Sequence, residues 1–200
     1  AQKMLPAKYI QDSGITIWFS VPSTAVMMSK LRMLKPGAYP SLRWSLFCGE
    51  ALPAEIVERF VEAAPNSTAE NLYGPTELTI ACTLYRWDTK RSPGECELGL
   101  VPIGAPYPGM EVLVVDEDLQ PVAEGETGEL LMTGLQLTPG YWRDAERTDA
   151  AYTVPPGEDR LFYRTGDRVR RCQGKSPMVY LGRLDNQIKI QGYRVELGEV

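Results

Sequence analysis

What most constrains this 200-residue chain is a change of periodicity near Thr89. Before it, helical and strand-like stretches alternate. Residues 1–12 carry Met4, Tyr9 and Ile10 on one side of a helical pattern that Ser13-Gly14 ends. Ile15–Val21, β-branched and aromatic between Gly14 and Pro22, reads as a buried strand. Ser23-Thr24 is the expected cap of a helix from Ala25 to about Leu34, which Pro36-Gly37 breaks. A strand over Leu42–Phe47, a helix over Glu55–Ala64 with Ile56, Phe60 and Val61 at helical spacing, and a strand over Leu78–Leu84 follow. This alternation predicts a parallel sheet with covering helices.

Beyond Thr89, Pro and Gly become frequent: Pro102, Gly104, Pro106, Pro108 and Gly109 fall close together. Short alternating runs follow at Glu111–Val115, Gly128–Thr133, Leu161–Tyr163, Val169–Arg171 and Val179–Leu181, with turn signals at Glu124-Gly125, Pro156-Gly157 and Gln173-Gly174. Such runs predict a small antiparallel barrel or meander. The expected organisation is therefore an α/β part over 1–88, a β-rich part over 89–181 and a closing segment over 182–200.

Composition excludes several chemistries. There is no histidine, which removes Ser-His-Asp triads, Cys-His pairs and His-ligated metals. A net charge of −5 with no basic stripe argues against nucleic acid as a partner. No apolar run approaches the ~18 residues a membrane span needs, and the N-terminus lacks a signal-peptide layout. Cys48, Cys82, Cys96 and Cys172 are far apart without zinc-ligand spacing, and are expected to be reduced thiols of a cytoplasmic protein.

Chemistry concentrates in Asn71-Leu72-Tyr73-Gly74-Pro75-Thr76-Glu77. The Gly-Pro pair forces a turn, so Tyr73, Thr76 and Glu77 are expected on a loop at a strand end, where open α/β sheets bind ligands. The Tyr73 ring can stack on a purine, and the Asn71 amide can donate to or accept from a base edge. The Thr76 hydroxyl can reach a phosphate oxygen, and the Glu77 carboxylate suits magnesium, a hard cation that shares oxygen ligands with phosphates. The plainer alternative is a turn with a capping Thr and a solvated Glu. A second candidate is Tyr163-Arg164-Thr165-Gly166-Asp167, expected at the end of a strand, where the two Asp167 oxygens match the spacing of a ribose diol. A hairpin turn is the alternative there. Gly182 to Arg194 is dense in cations, and Gly104–Gly109 is too Pro-rich to be a phosphate loop.

In this order, the motifs resemble the adenylate-forming superfamily: adenylation domains of nonribosomal peptide synthetases, acyl-CoA synthetases and luciferases. The likeness is carried by Cys48-Gly49-Glu50-Ala51-Leu52, Tyr73–Glu77, Gly128-Glu129-Leu130 through Thr133-Gly134 to Gly140-Tyr141-Trp142, Tyr163–Asp167 and Gly182–Arg194. It implies the α/β fold of part of the large N-terminal domain of such an enzyme, and ATP, AMP and Mg²⁺ as ligands. Tyr73 and Gly49-Glu50-Ala51 would sandwich adenine beside Asn71 and Gly74. Thr76 would hold the α-phosphate, Glu77 the magnesium, Asp167 the ribose hydroxyls, and Arg183 would approach the ribose and phosphate side. Asp185 would be the hinge to a small C-terminal domain, of which 182–200 is the start. The implied reaction joins a carboxylic acid to AMP and passes the acyl group to a thiol.

Within the family, Phe47–Pro53 and Asn71–Tyr73 are most similar to the branch that activates amino acids for carrier proteins, including D-alanine:carrier protein ligases. By that analogy Phe19, Leu46, Cys48, Leu72, Ile80 and Ala81 would line an acyl pocket for a small or aliphatic group; simple core is the alternative for Cys48. The family's phosphate loop and its C-terminal catalytic lysine have no match here, so the chain is expected to be an inactive piece of a larger enzyme. Two alternatives stand beside this reading: an acyl-CoA or aryl-CoA synthetase segment, and a non-catalytic module that binds nucleotide or carrier protein. Trp18, Trp44, Trp87 and Trp142 are expected in packing roles, and Asp116-Glu117-Asp118 in a hairpin turn without metal.

Overall fold

Five strands build the first sheet of the computed structural model: β1 (Ile17–Ser20), β2 (Trp44–Cys48), β3 (Thr68–Tyr73), β4 (Thr83–Arg86) and β5 (Ala105–Pro106), lying side by side in that order. The structure describes residues 6–174 and 176–185, with the backbone alone of 187–190 and 193–196. Helices α1 (Pro6–Ser13), α2 (Pro22–Lys30) and α3 (Ala54–Ala63) contribute to one core on one face of the sheet. Ile56, Val57, Phe60 and Ala63 form the apolar stripe of α3, and Phe60 meets Phe47 of β2 edge-on at 5.1 Å between ring centroids. On the opposite face, Ile17 and Phe19 are 56% and 52% exposed. There the Arg86 guanidinium lies 5.4 Å from the centre of the Trp44 ring and pairs with the buried carboxylate of Glu70.

Four expectations about this part are corrected. The sheet is mixed rather than parallel: β1, β2 and β3 run parallel, but β4 and β5 are antiparallel. β3, which carries Asn71 and Tyr73, is a strand the sequence patterning misses, so these residues end a strand rather than sit on the loop after it. The strand expected over Leu78–Leu84 begins only at Thr83. Before it come a 3-10 turn, Thr76–Leu78, and two residues of positive φ, Thr79 and Ile80. This tight return, closed by a 2.8 Å bond from the Cys82 amide to the Tyr73 carbonyl, reverses the chain direction. Finally, α2 starts at Pro22 without a side-chain cap, since proline itself suits the first helical position. The part-buried N–H of Ser23 goes instead to the Glu50 carboxylate, 2.7 Å away.

The second sheet is antiparallel, in the order β10 (Val179–Arg183), β9 (Phe162–Arg170), β7 (Thr127–Gly134), β6 (Met110–Val115), with β8 (Tyr152–Thr153) beside β9. The runs Leu161–Tyr163 and Val169–Arg171, expected as separate strands, fuse into β9. Gly166 supplies a bulge at φ +67° instead of a turn. Short helices α4 (Ser92–Glu95) and α5 (Ala145–Ala151) punctuate the connections. Asp116 accepts amide bonds from Asp118 and Gln120, as a hairpin turn requires. Trp18, Trp44 and Trp87 are at least partly buried, but Trp142 is 87% exposed and carries Arg143 over its ring, against the packing role expected.

Tyr73, Leu78 and Cys82 from the first sheet region join the core of the second with Leu130, Met132, Tyr163 and Met178. A two-stranded ladder, β11 (Gln187–Ile190) with β12 (Tyr193–Glu196), closes the described chain. Within the Gly182–Arg194 motif, Asn186, Gln191 and Gly192 and the side chains of 187–190, Tyr193 and Arg194 lie outside the described residues, as do Met4 and the final Gly198-Glu199-Val200. No helix among the described residues is long and apolar enough to cross a membrane.

Candidate functional site

Where β2 and β3 end, the chain opens a narrow, solvent-open cleft. Gly49–Leu52 form one side and Asn71–Gly74 the strand-end side, with Val101, Ile103 and Tyr180 among the residues opposite. Six of the expected nucleotide residues are thus brought together. Asn71 is buried, and its amide nitrogen donates to the carbonyls of Val101 and Pro102 at 3.3 and 2.9 Å. With the NH₂ so engaged, the amide oxygen is the atom that can serve a ligand, and only as an acceptor. That narrows its chemistry to recognising a donor such as the exocyclic amine of a purine. Gly74 is required for packing: a Cβ there would sit 2.8 Å from the Ala81 Cα.

At the far side, the Tyr73 hydroxyl donates to Asp167 Oδ2 at 2.5 Å, and Arg183 Nη1 donates to Asp167 Oδ1 at 2.9 Å. Asp167 is only 3% exposed, so its charge depends on these partners. Burial, and then the neighbouring Asp167 charge, push the Tyr73 hydroxyl well above its ordinary pKa, so it stays a donor. Burial opposes the charge on Arg183, but the hydrogen bond to Asp185 and the Asp167 charge outweigh it and hold the guanidinium above its usual value. Arg183 also donates to the Thr165 carbonyl and bridges to Asp185. Asp167, Arg183 and Asp185 thus form one chain of charge beside Tyr73.

Thr76 and Glu77 stand apart from the cleft lining. Thr76 is exposed, whereas Glu77 is 6% exposed and accepts the Tyr141 hydroxyl at 2.5 Å, so it is not the solvated glutamate of a plain turn. Burial, then this bond to Glu77, raise the Tyr141 pKa, keeping it the donor. A single buried carboxylate suits magnesium, which takes few protein ligands and completes its shell with phosphate and water oxygens. Among the described residues no group of three His, Cys, Asp or Glu forms an all-protein metal site.

Of the six residues expected to line an acyl pocket, Leu72 lines the cleft. Phe19 and Leu46 are paired neighbours on the open sheet face, and Cys48 and Leu72 continue that face toward the strand ends. Phe19 and Ile80 are more than half exposed, so the described residues do not enclose a pocket there. The Cys48 thiol is directed at the Ile80 carbonyl, 3.6 Å away. None of the four cysteines is in a disulfide, and burial pushes the Cys82 thiol up to about 12. Sequence reasoning missed Tyr180, Val101 and Ile103 in the cleft wall and Tyr141 on Glu77. Tyr141 lay within a quoted motif, but nothing local signals a partner 64 residues away.

This arrangement is similar to that of solved adenylation domains. The solved Vibrio cholerae adenylation domain AlmE, in complex with glycyl-adenosine-5'-phosphate, superposes with a TM-score of 0.85 at 36% identity, over 99% of this chain and 37% of that one. The family model for "AMP-binding enzyme" matches residues 1–142, and the chain belongs to that family. It is 35% identical over 191 residues to the D-alanine–D-alanyl carrier protein ligase of Bacillus licheniformis, covering 96% of this chain and 37% of that protein. It is 39% identical over 196 residues to the L-proline–[L-prolyl-carrier protein] ligase of Streptomyces coelicolor, covering 97% and 35%. The chain thus spans little more than a third of the length of these relatives.

Proposed function

We propose that this chain is part of an enzyme that activates a carboxylic acid, of the amino-acid class, with ATP and hands the acyl group to the phosphopantetheine thiol of a carrier protein. The observation that carries the reading is the Tyr73–Asp167–Arg183 linkage at the edge of a cleft lined by Gly49–Ala51, Asn71 and Gly74. In support of it, the Asn71 amide oxygen is left as an acceptor for a purine amine, and Asp167 is a buried carboxylate beside the cleft that could meet a diol. In the reaction a carboxylate oxygen bonds to the α-phosphorus as the bond to pyrophosphate breaks. The thiol sulfur then bonds to the acyl carbon as AMP leaves with the C–O electron pair. Both anions must be held together, so positioning and charge neutralisation carry the catalysis. Thr76 and Arg183 serve the phosphate and ribose side, and Glu77 holds magnesium, which supplies neutralising charge when bound. Asp185, beside Arg183, is the proposed hinge for the segment that follows, in keeping with a division at 1–88, 89–181 and 182–200.

The likeness to two ligases that name amino acids and carrier proteins supports this branch. The test is substrate-dependent ATP–pyrophosphate exchange on the full-length native polypeptide, across D- and L-amino acids, aryl acids and fatty acids. Exchange with one amino acid, abolished in Asp167→Ala, is the expected result. Exchange with aryl or fatty acids alone would move the chain to the acyl-CoA synthetase branch, and none at all would leave a non-catalytic binding module.

A further inference from the structure

The loop after the Thr76–Leu78 turn holds an unusual backbone. Thr79 and Ile80, both β-branched, take consecutive φ values of 55° and 74°. Such residues rarely adopt this region, and they remain there only where the surroundings over-determine it. The surroundings do so through carbonyls. Gln136 Nε2 donates to the carbonyls of Leu78, Thr79 and Ala81 at 3.4, 3.3 and 2.9 Å. The Thr138 amide takes the Glu77 carbonyl at 2.9 Å, and the Cys48 thiol takes that of Ile80. All five consecutive carbonyls from Glu77 to Ala81 are therefore held from outside the loop, three of them by one half-buried side chain. Thr79 Oγ1 returns a bond to the Gln136 carbonyl at 3.1 Å. Behind the loop, the close approach of Ala81 to Gly74 leaves no room to retreat.

We propose that Gln136 is a positioning residue for acyl selectivity: it pins the Thr79–Ala81 loop in its strained form, so that Ile80 and Ala81 present a fixed wall to the acyl group. The inference rests on the function proposed above and assigns to it a residue that touches no substrate. A side-chain amide suits the task because its two N–H groups can be shared among several carbonyls. Without them the loop relaxes and the wall moves.

The test pairs two measurements on the full-length polypeptide. Gln136→Met keeps length and volume but removes the donors. Amide hydrogen exchange at Thr79–Cys82 should quicken by about tenfold, the scale of one net hydrogen bond. In pyrophosphate exchange, the KM for the preferred acid should rise by about tenfold while the KM for ATP stays within about twofold, and the ranking among acids should flatten. Thr79→Ala, which loses only the returned bond, should move both readouts the same way by less, and it carries the test if Gln136→Met does not fold. Leu135→Ala, 88% exposed and outside the clamp, should change neither. Unaltered amide exchange in the variants, or faster exchange with acid KM and ranking intact, overturns the proposal. If the unaltered polypeptide activates no acid, the underlying functional reading has failed instead, and this is visible before any variant is made.

Discussion

Tyr73 keeps its proton beside a buried carboxylate, and that bond connects nearly everything in the cleft. Tyr73→Phe removes the donor while leaving the ring. The expected cost is about 1–3 kcal/mol, the penalty for an under-satisfied buried charge, read as a lower urea midpoint. If Asp167 also serves the ribose, nucleotide-dependent thermal stabilisation should weaken in the same variant. Gly166→Ala acts on the same carboxylate from behind. Its Cβ would lie 2.8 Å from Arg183 Nη2 at a φ of +67°. A cost of about 1–2 kcal/mol is expected from the backbone alone, with Arg183 displaced in a crystal structure of the variant.

Among the elements, β3 teaches most about what the sequence conceals. Thr68-Ala69-Glu70-Asn71-Leu72-Tyr73 lacks alternation and carries three residues disfavoured in strands, Ala69, Glu70 and Asn71. Its polar groups are satisfied only by distant partners: Glu70 by Arg86 on β4, Asn71 by carbonyls at Val101 and Pro102. No local window contains those partners, so a buried strand reads as a loop. α3 was legible because its apolar stripe recurs within its own ten residues. β9 was half legible, its ends visible as apolar runs and its middle disguised by a bulge. Residue types singled out Tyr73 and Asp167, whereas their bond to each other, and the positions of Tyr180 and Tyr141, depended on the tertiary fold.

Another element-scale bond predicts a pH effect. Arg170 on β9 donates twice to Glu97, in the stretch leading to β5. These bonds hold the Glu97 carboxyl below the ordinary glutamate value. Ionised Glu97 therefore stabilises the fold above its unfolded pKa of about 4.3, and the contribution fades as pH falls through the lower folded value. Glu97→Gln should accordingly lower the melting temperature at about pH 7 and show less of the further drop toward about pH 3. An equal drop in both proteins would show that the pair does not contribute.

At the scale of the whole molecule, one sheet face is packed and the other shows Ile17, Phe19, Leu46 and Trp44 in a row fixed by strand register. Replacing Ile17 and Phe19 together by Thr and Ser should leave unfolding free energy of the 200-residue chain within about 0.5 kcal/mol per site. Dye binding by exposed apolar surface and self-association should both fall. A large loss of stability would mean that this face is buried in solution.

The bond between Tyr73 and Asp167 joins residues 94 positions apart, and such a loop closes late because its entropy is lost before the contact forms. During refolding, helical signal from α1 to α3 should return first, with Gly49, Asn71 and Tyr73 already in place. Ligand affinity would lag behind, appearing only when β9 docks and delivers its carboxylate. On the proposed function, the cleft would report on its own assembly: a half-folded chain would lack the Asp167 carboxylate and hold a nucleotide less well.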